Sequence, residues 1–402
     1  MLTICLMNLK RNKMKKIIAV FSFLFLVSCA QAQNVQRIHK KAILVDTHND
    51  ILEQCIGKHL SFDQDLKGKT QTDLVRLKQG GVDLQLFSVW CDGHQANPYA
   101  FANAEMDTLD AVINRNPDKI VKVANSKALH KAIRQHKIAA MFGVEGGHMM
   151  EDDLYKLETM YKRGTRYMTL TWNNSTSWAT SAFEETGKKD LAHKGLNDFG
   201  KQVVKKMNEL GMLVDISHVG EQTFWDVINT TTKPVIASHS SVYSLCNVPR
   251  NLKDDQIKAV AKNGGVIQVN FYSGFIDSTF DKRSLAFEVK HKTEKDSLQK
   301  INPERYYYEE YLFHKYPEEV KALRPPLSLL IQHIDYIVKL VGVDYVGLGS
   351  DFDGISSAPQ QLDDVTSYPI ITKALLDKGY SKKDVYKILG GNFLRVLKAN
   401  EK

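Results

Sequence analysis

A (β/α)₈ barrel of the α/β class is the fold this chain predicts, on three observations. Eight short apolar runs, rich in β-formers, alternate with longer amphipathic stretches: Ala42–Asp46, Val82–Trp90, Ala139–Glu145, Tyr167–Thr171, Met212–Ser217, Val235–Ser238, Val266–Phe271 and Tyr345–Ser350. Between most of them lie helical patterns, such as Asp152–Arg163, Leu196–Leu210 and Asp254–Lys262, the last followed by the breaker Gly264-Gly265. His, Asp and Glu residues gather where the runs end, the place at which such barrels carry their reacting groups. Continuously apolar strands suit a closed parallel sheet, and 402 residues exceed the ~250 that a barrel of this type takes. A doubly wound open sheet is the alternative, but no GxGxxG or Walker motif supports it.

Residues 1–32 read as a leader. Lys15 and Lys16 form a positive start, with Met14 an alternative initiator, and Ile17 to Val27 form an apolar run of secretory length, too short to span a bilayer. Two exits compete. Leu26-Val27-Ser28-Cys29 resembles a bacterial lipobox, which would lipidate Cys29 and make it the first mature residue; Ala30-Gln31-Ala32 matches ordinary signal cleavage, with Gln33 the first mature residue. Both predict an exported protein, a cell-envelope lipoprotein or a periplasmic one, whose membrane contact is confined to a lipid anchor on Cys29.

The formal charge of +8 is mostly leader: residues 1–28 hold Lys10, Arg11, Lys13, Lys15 and Lys16 and no acid, leaving +3 for the rest. No later Lys/Arg run is interleaved with aromatics, so no nucleic-acid partner is expected. A composition of 43% hydrophobic and 25% charged residues belongs to a soluble globular chain with a sizeable core. Cys55, Cys91 and Cys246 are too widely spaced for a disulfide framework or a zinc finger and read as buried or free thiols.

The first run ends Asp46-Thr47-His48-Asn49-Asp50, and in extended chain His48 and Asp50 point the same way, into the barrel mouth. The third ends Glu145-Gly146-Gly147-His148; a carboxylate before two glycines suggests a site that something approaches closely. The fifth ends Asp215-Ile216-Ser217-His218, the sixth Ser238-His239-Ser240-Ser241, and the eighth Gly349-Ser350-Asp351-Phe352-Asp353-Gly354. Any one histidine here is more often a hydrogen-bonded barrel residue than a ligand. His, Asp, Glu, His, His and Asp at five of eight run ends form a joint pattern that suits Zn²⁺, and too many ligands for one tetrahedral ion point to two ions. Glu145 can bridge such a pair, which can hold a hydroxide between its members.

Ser273 to Pro325 breaks the rhythm. It is charged, tyrosine-rich (Tyr306-Tyr307-Tyr308-Glu309-Glu310-Tyr311) and too long for a crossover, so helices inserted between the seventh and eighth strands are expected. The insertion could form a lid, the contact of a homodimer, or a solvated helical hairpin.

In these residues the chain resembles the renal (membrane) dipeptidase family of the amidohydrolase superfamily, from Asp46 to about Val396. The resemblance rests on Asp-Thr-His-Asn-Asp at 46–50, Glu-Gly-Gly-His at 145–148, Asp-Ile-Ser-His at 215–218 and Ser-His-Ser-Ser at 238–241. It extends through Asn-Val-Pro-Arg-Asn at 247–251, Gly-Ser-Asp-Phe-Asp-Gly at 349–354 and Gly-Gly-Asn-Phe-Leu-Arg-Val at 390–396. It implies two Zn²⁺ per chain: His48 and Asp50 on the first, His218 and His239 on the second, Glu145 bridging both. It further implies Asp351 as proton shuttle and Arg250 as the contact for a substrate carboxylate, where a surface salt bridge is the alternative; a guanidinium grips a carboxylate bidentately and stays charged. His148 reads as a support that orients Glu145 or a ligand.

Two positions depart from the family pattern. Trp172 stands where vertebrate members have a histidine that stabilises the tetrahedral intermediate; an indole N–H can donate but cannot become a cation, so Trp172 or Asn173 substitutes or the substrate geometry differs. Phe275 falls where a tyrosine helps to bind the substrate carboxylate, and it lacks the hydroxyl. The expected activity is hydrolysis of short free-acid peptides, chiefly dipeptides, with an L- or a D-residue at the C-terminus. The alternatives are another amide (a lactam or an N-acyl amino acid) and, from a different class, an exported binding protein with a vestigial metal site.

Overall fold

The computed structural model describes residues 32–402, so the leader and Cys29 lie outside the described residues. Among the described residues, a single sheet carries nine parallel-paired strands: β1 (Leu44–Asp46), β2 (Val82–Trp90), β3 (Ile120–Lys122), β4 (Ile138–Glu145), β5 (Thr165–Thr169), β6 (Leu213–Asp215), β7 (Ile236–Ala237), β8 (Val266–Val269) and β9 (Val346–Leu348). Eight run in the order β1-β2-β4-β5-β6-β7-β8-β9, and they coincide with the eight apolar runs. The seam between first and last is joined just beyond the strands: Thr47 N–H donates to Leu348 O (3.3 Å), Asp351 N–H to His48 O (3.1 Å) and Asp50 N–H to Phe352 O (2.9 Å). The molecule is therefore an α/β barrel of the expected (β/α)₈ type.

The ninth strand, β3, has no counterpart among the expected elements. It pairs with β4 alone, and three residues (Ile-Val-Lys) are too few for a period to show in sequence.

Strand periodicity sorts the core. Leu84 and Leu86 of β2 and Ala139 and Met141 of β4 join Val45, Tyr167, Leu213, Ile236 and Val266 inside the barrel, with Phe393, Val396 and Leu397 of the terminal helix Asn392–Asn400. Their neighbours Phe87, Val89, Ala140, Phe142 and Val144 belong to the layer under the helices, with Leu109, Ile257 and Ile334. Both faces of each strand are thus apolar, which is why the runs read as continuous.

Capping moves the helix starts. Asp153 and Asn197 accept hydrogen bonds from the N–H groups of Tyr155 and Gly200, so the helices begin at Leu154 and Asp198, two residues after the expected starts. Gly211 and Gly264, both at φ 81°, close the helices Asp198–Leu210 and Asp254–Asn263.

The segment after β8 is helical: Ser273–Ile276, Phe280–Lys290, Lys292–Gln299, Arg305–Lys315 and Pro317–Leu323, before Leu327–Val341 rejoins the barrel. It has a small apolar core of its own, in which Phe280, Phe287, Leu312 and Phe313 are buried. Cys55, Cys91 and Cys246 are buried free thiols. Among the described residues, no helix is long and apolar enough to cross a membrane.

Candidate metal centre

Five strand ends, those of β1, β4, β6, β7 and β9, deliver one cluster to the barrel mouth. His48 Nε2 lies 3.5 Å from Asp50 Oδ2, 3.2 Å from Glu145 Oε2 and 3.9 Å from Asp351 Oδ1. On the other oxygen of Glu145, Oε1, converge His218 Nε2 at 2.8 Å and His239 Nε2 at 3.3 Å. The two imidazole nitrogens stand 3.0 Å apart. His48, Glu145 and His239 form one group of donors, and His48, Asp50 and Asp351 another, each spanning no more than 4.8 Å. All six side chains proposed from the strand ends therefore meet around one carboxylate, which offers one oxygen to each half.

Partners on the far sides of the rings decide which nitrogens face inward. Tyr167 O–H donates to Thr47 O (3.0 Å), so its oxygen accepts from His48 Nδ1–H (2.6 Å). Ser238 O–H donates to Asp215 Oδ2 (2.6 Å) and accepts from His239 Nδ1–H (2.8 Å). Asn173 Oδ1, an acceptor only, takes the proton of His218 Nδ1 (3.3 Å). Each ring thus carries its proton on Nδ1 and turns the Nε2 lone pair on the cluster, as a metal-binding imidazole must. Lone pairs and carboxylate oxygens at these distances repel one another unless a cation lies between them. In keeping with this, His48 Nε2 and Asp50 Oδ2 are buried without a hydrogen-bond partner. The donor set fits divalent metal.

The electrostatics agree for His218 and His239; His48, which burial alone would lower, is instead held well above its ordinary value by Tyr167, Asp50 and Glu145, so without a cation in the site its ring is the one that takes up positive charge. Burial alone would raise the Glu145 carboxyl, but His48, His218 and His239 hold it well below the usual range. Burial pushes His218 down to about 4 and His239 well below its ordinary value, with Arg250 adding to the effect on His218 and the neighbouring His48 to that on His239. Both therefore stay neutral near pH 7, the form that can ligate. Asp351 is pushed up, by burial first and by the carboxylates of Asp50 and Glu145 next.

Local backbone geometry makes these approaches feasible. His218 and Asp351 both sit at φ 63°, a left-handed conformation uncommon for side-chain-bearing residues. A Cβ on Gly354 would lie 2.3 Å from Asp50 Oδ2, so only glycine fits behind the first ligand pair. The two glycines after Glu145 prove to clear space for protein: a Cβ on Gly146 would strike the His148 ring, and one on Gly147 would strike Trp178.

The remaining expected residues take different places. Arg250 is buried and among the described residues makes no ion pair and finds no partner for Nε; Nη2 donates to His239 O (3.1 Å) and Nη1 to Ser240 Oγ (3.3 Å). The Phe275 ring lies 5.2 Å from its guanidinium, and burial lowers its pKa to about 10, leaving it cationic at neutral pH. Arg250 is no surface salt bridge. His148 directs Nε2 to Cys91 O (3.2 Å), leaves Nδ1 unpartnered and makes no hydrogen bond to Glu145. Asn173 is committed to His218, while the Trp172 ring lies 6.5 Å from that of His218.

Four residues that hold the site were not singled out by sequence. Tyr167 and Ser238 orient ligand rings, and Asn270 Nδ2 donates to Asp351 Oδ2 (2.8 Å). Asp46, buried below the first ligands, accepts from Ser350 N–H (2.8 Å) and Tyr368 O–H (2.7 Å) and so braces the seam. Asp46 and Ser238 stood inside the quoted motifs without a role of their own, and Tyr167 and Asn270 only as polar residues inside apolar runs.

The chain matches the model of the membrane dipeptidase family (peptidase family M19) over residues 32–402. Among solved structures it resembles the probable dipeptidase PvdM from Pseudomonas aeruginosa at 22% identity and a TM-score of 0.73, covering 92% of this chain and 98% of that one. A metallopeptidase from Rhodobacter sphaeroides, liganded with a phosphinate mimic of the dipeptide L-Ala-D-Ala, is similar at 20% identity and a TM-score of 0.74, over 90% of this chain and 100% of that one. At such identities the structures speak for the fold, and the family match speaks for the chemistry: this chain belongs to the membrane dipeptidase family, as a metallodipeptidase.

Proposed function

We propose that the protein is a zinc-dependent dipeptidase that takes two Zn²⁺ per chain and cleaves short free-acid peptides, including those ending in a D-residue. The observation that carries this reading is the convergence of three Nε2 lone pairs on the two oxygens of Glu145. In this reading His48 and Asp50 hold the first ion, His218 and His239 the second, and Glu145 both. Divalent ions there would acidify water towards neutral pH and polarise a carbonyl.

The chain's own groups do the rest. Asp351 has one oxygen tethered by Asn270 and the other turned to the cluster, the arrangement of a group that accepts a proton and returns it to the leaving amine. Arg250, buried and without an anionic partner among the described residues, has an unsatisfied Nε to offer the substrate's terminal carboxylate. An internal peptide bond would lack that anchor, which limits substrates to short ones. Asn173 acts through His218 by fixing its tautomer, and His148 packs behind the Glu145 turn. The mimic of L-Ala-D-Ala bound by the Rhodobacter protein supports a D-residue at the C-terminal position. A second reading, another amide, draws on Phe275, which offers a ring and no hydroxyl beside Arg250. We also propose, from the leader alone, that the protein is exported and that Cys29 is its lipidation site.

The test is turnover of L-L and L-D dipeptides and their C-terminal amides, before and after chelation and after Zn²⁺ is restored. The reading expects activity on the free acids that vanishes and returns with the metal. No dipeptide turnover with two zinc ions bound would discard the dipeptide in favour of the other amide.

A further inference from the structure

Three aromatic rings from distant parts of the chain meet beside the metal centre, and nothing in the chemistry above uses them. Trp90 closes β2, next to Glu145, its register partner on β4. Trp172 follows β5, with its ring 5.0 Å from that of Trp90. Tyr306, in the first turn of the inserted helix Arg305–Lys315, sets its ring 6.2 Å from each, nearly perpendicular to both at 86° and 79°. Such edge-to-face contacts define a fixed surface. Tyr306 is pinned from outside, its O–H donating to Asp92 Oδ2 (3.1 Å), while Lys58 Nζ binds Glu310 Oε1 (3.0 Å) on the same helix. Tyr306 remains 38% exposed, and Trp172 connects the group to the cluster, its ring 6.5 Å from that of His218.

Strand order locates this wall. Around the ring β1-β2-β4-β5-β6-β7-β8-β9, Trp90 and Trp172 flank β4, whereas Arg250 follows β7 and Phe275 follows β8. Those positions lie almost across the mouth, with the metal-ligand cluster between them. A dipeptide held by its carboxylate at Arg250 and by its scissile carbonyl at the cluster must send its N-terminal residue towards the wall. We propose that Trp90, Trp172 and Tyr306 form the specificity surface for the N-terminal side chain of the substrate and select large apolar or aromatic residues there. The inference rests on the dipeptidase reading and adds that the insertion contributes to specificity through Tyr306.

The test compares kcat/KM for Phe-Ala with that for Gly-Ala, and for Gly-Phe with that for Gly-Ala, on the zinc-loaded wild type, Tyr306→Ala and Tyr306→Phe. A ratio taken on one preparation cancels differences in its active fraction. Wild type is expected to prefer Phe-Ala over Gly-Ala by ~10-fold or more, the scale on which an apolar pocket discriminates. Tyr306→Ala should erase most of that preference, chiefly through KM, and leave the Gly-Phe ratio where it was. Tyr306→Phe, which keeps the ring, should keep the preference. Equal losses on Phe-Ala and Gly-Ala, a change in the Gly-Phe ratio instead, or collapse in Tyr306→Phe would each overturn the wall. Wild type inert on every dipeptide despite bound zinc would overturn the dipeptidase reading, and the wall with it.

Discussion

The barrel mouth and the inserted helices beside it hold their charged residues in opposite ways. At the mouth, His48, Glu145, His218 and His239 are buried, and each histidine is fixed by a second partner, from another strand end for His48 and His218 and from the preceding Ser238 for His239. In the insertion, most charges pair along the surface, as Lys290 does with Glu319 and Arg305 with Asp281, around a small apolar core. Exposed pairs are screened by water and add little, whereas a buried polar group stripped of its partner is costly. Substitutions at the mouth should therefore act on metal and chemistry, and those in the insertion on local stability and on what the mouth accepts.

Glu145→Gln would break this contrast most severely. Removing the carboxylate shared by both halves should lower metal content and cut kcat/KM by well over ~100-fold, beyond the usual effect of losing an outer partner. Asp351→Asn, by contrast, should cost ~10²–10⁴-fold in kcat with metal content kept, as expected for a lost proton carrier. Metal analysis and steady-state kinetics on both proteins decide the matter; equal metal loss in the two would remove the distinction between ligand and shuttle.

Tyr167→Phe sharpens the comparison one step from the cluster. The ring still fills the barrel, but His48 Nδ1 loses its acceptor. A ~10–100-fold loss in metal affinity or activity is expected, measured by competition with a chelator. Unchanged affinity would mean that the ring's tautomer is set elsewhere.

The smallest effect belongs to the insertion. Glu309 is raised from 4.5 to about 7, by burial first, against the opposing pull of Arg305. A raised folded value means that the folded state binds more protons between those limits. Its contribution to stability is complete below the unfolded value and is lost as pH rises through about 7. At ~1.36 kcal/mol per pH unit the swing is about 3 kcal/mol. Melting curves of wild type and Glu309→Gln between about pH 5 and 8 should diverge, wild type losing stability as pH rises and the variant following a flatter curve. Parallel curves would show that Glu309 keeps an ordinary pKa.

Much of the barrel and of its cluster could be read from residue order. Strands buried on both faces must be apolar throughout, and a side chain at a strand's C-terminal end must lie at the mouth, so Glu145, His239 and Asp351 announced themselves by position. Tyr167 did not: inside an apolar run it reads as one more large ring, and only the closing of β5 towards β1 shows its hydroxyl to be the acceptor for His48. His148 misled in the other direction. Its place beside Glu145 suggested support for that carboxylate, whereas the turn through Gly146 at φ 107° delivers its ring to Cys91.

The chain's order of residue types thus settled the fold class, the eight barrel strands, the position of the insertion and the identity of the polar groups at the strand ends, because periodicity and burial are local constraints. Only the tertiary structure decided which nitrogen of each histidine faces inward, that Arg250 lacks an acidic partner among the described residues, and that Tyr306 reaches Trp90 and Trp172 from more than a hundred residues away. Those outcomes depend on hydrogen bonds and ring contacts between segments far apart in the chain, which no local pattern encodes.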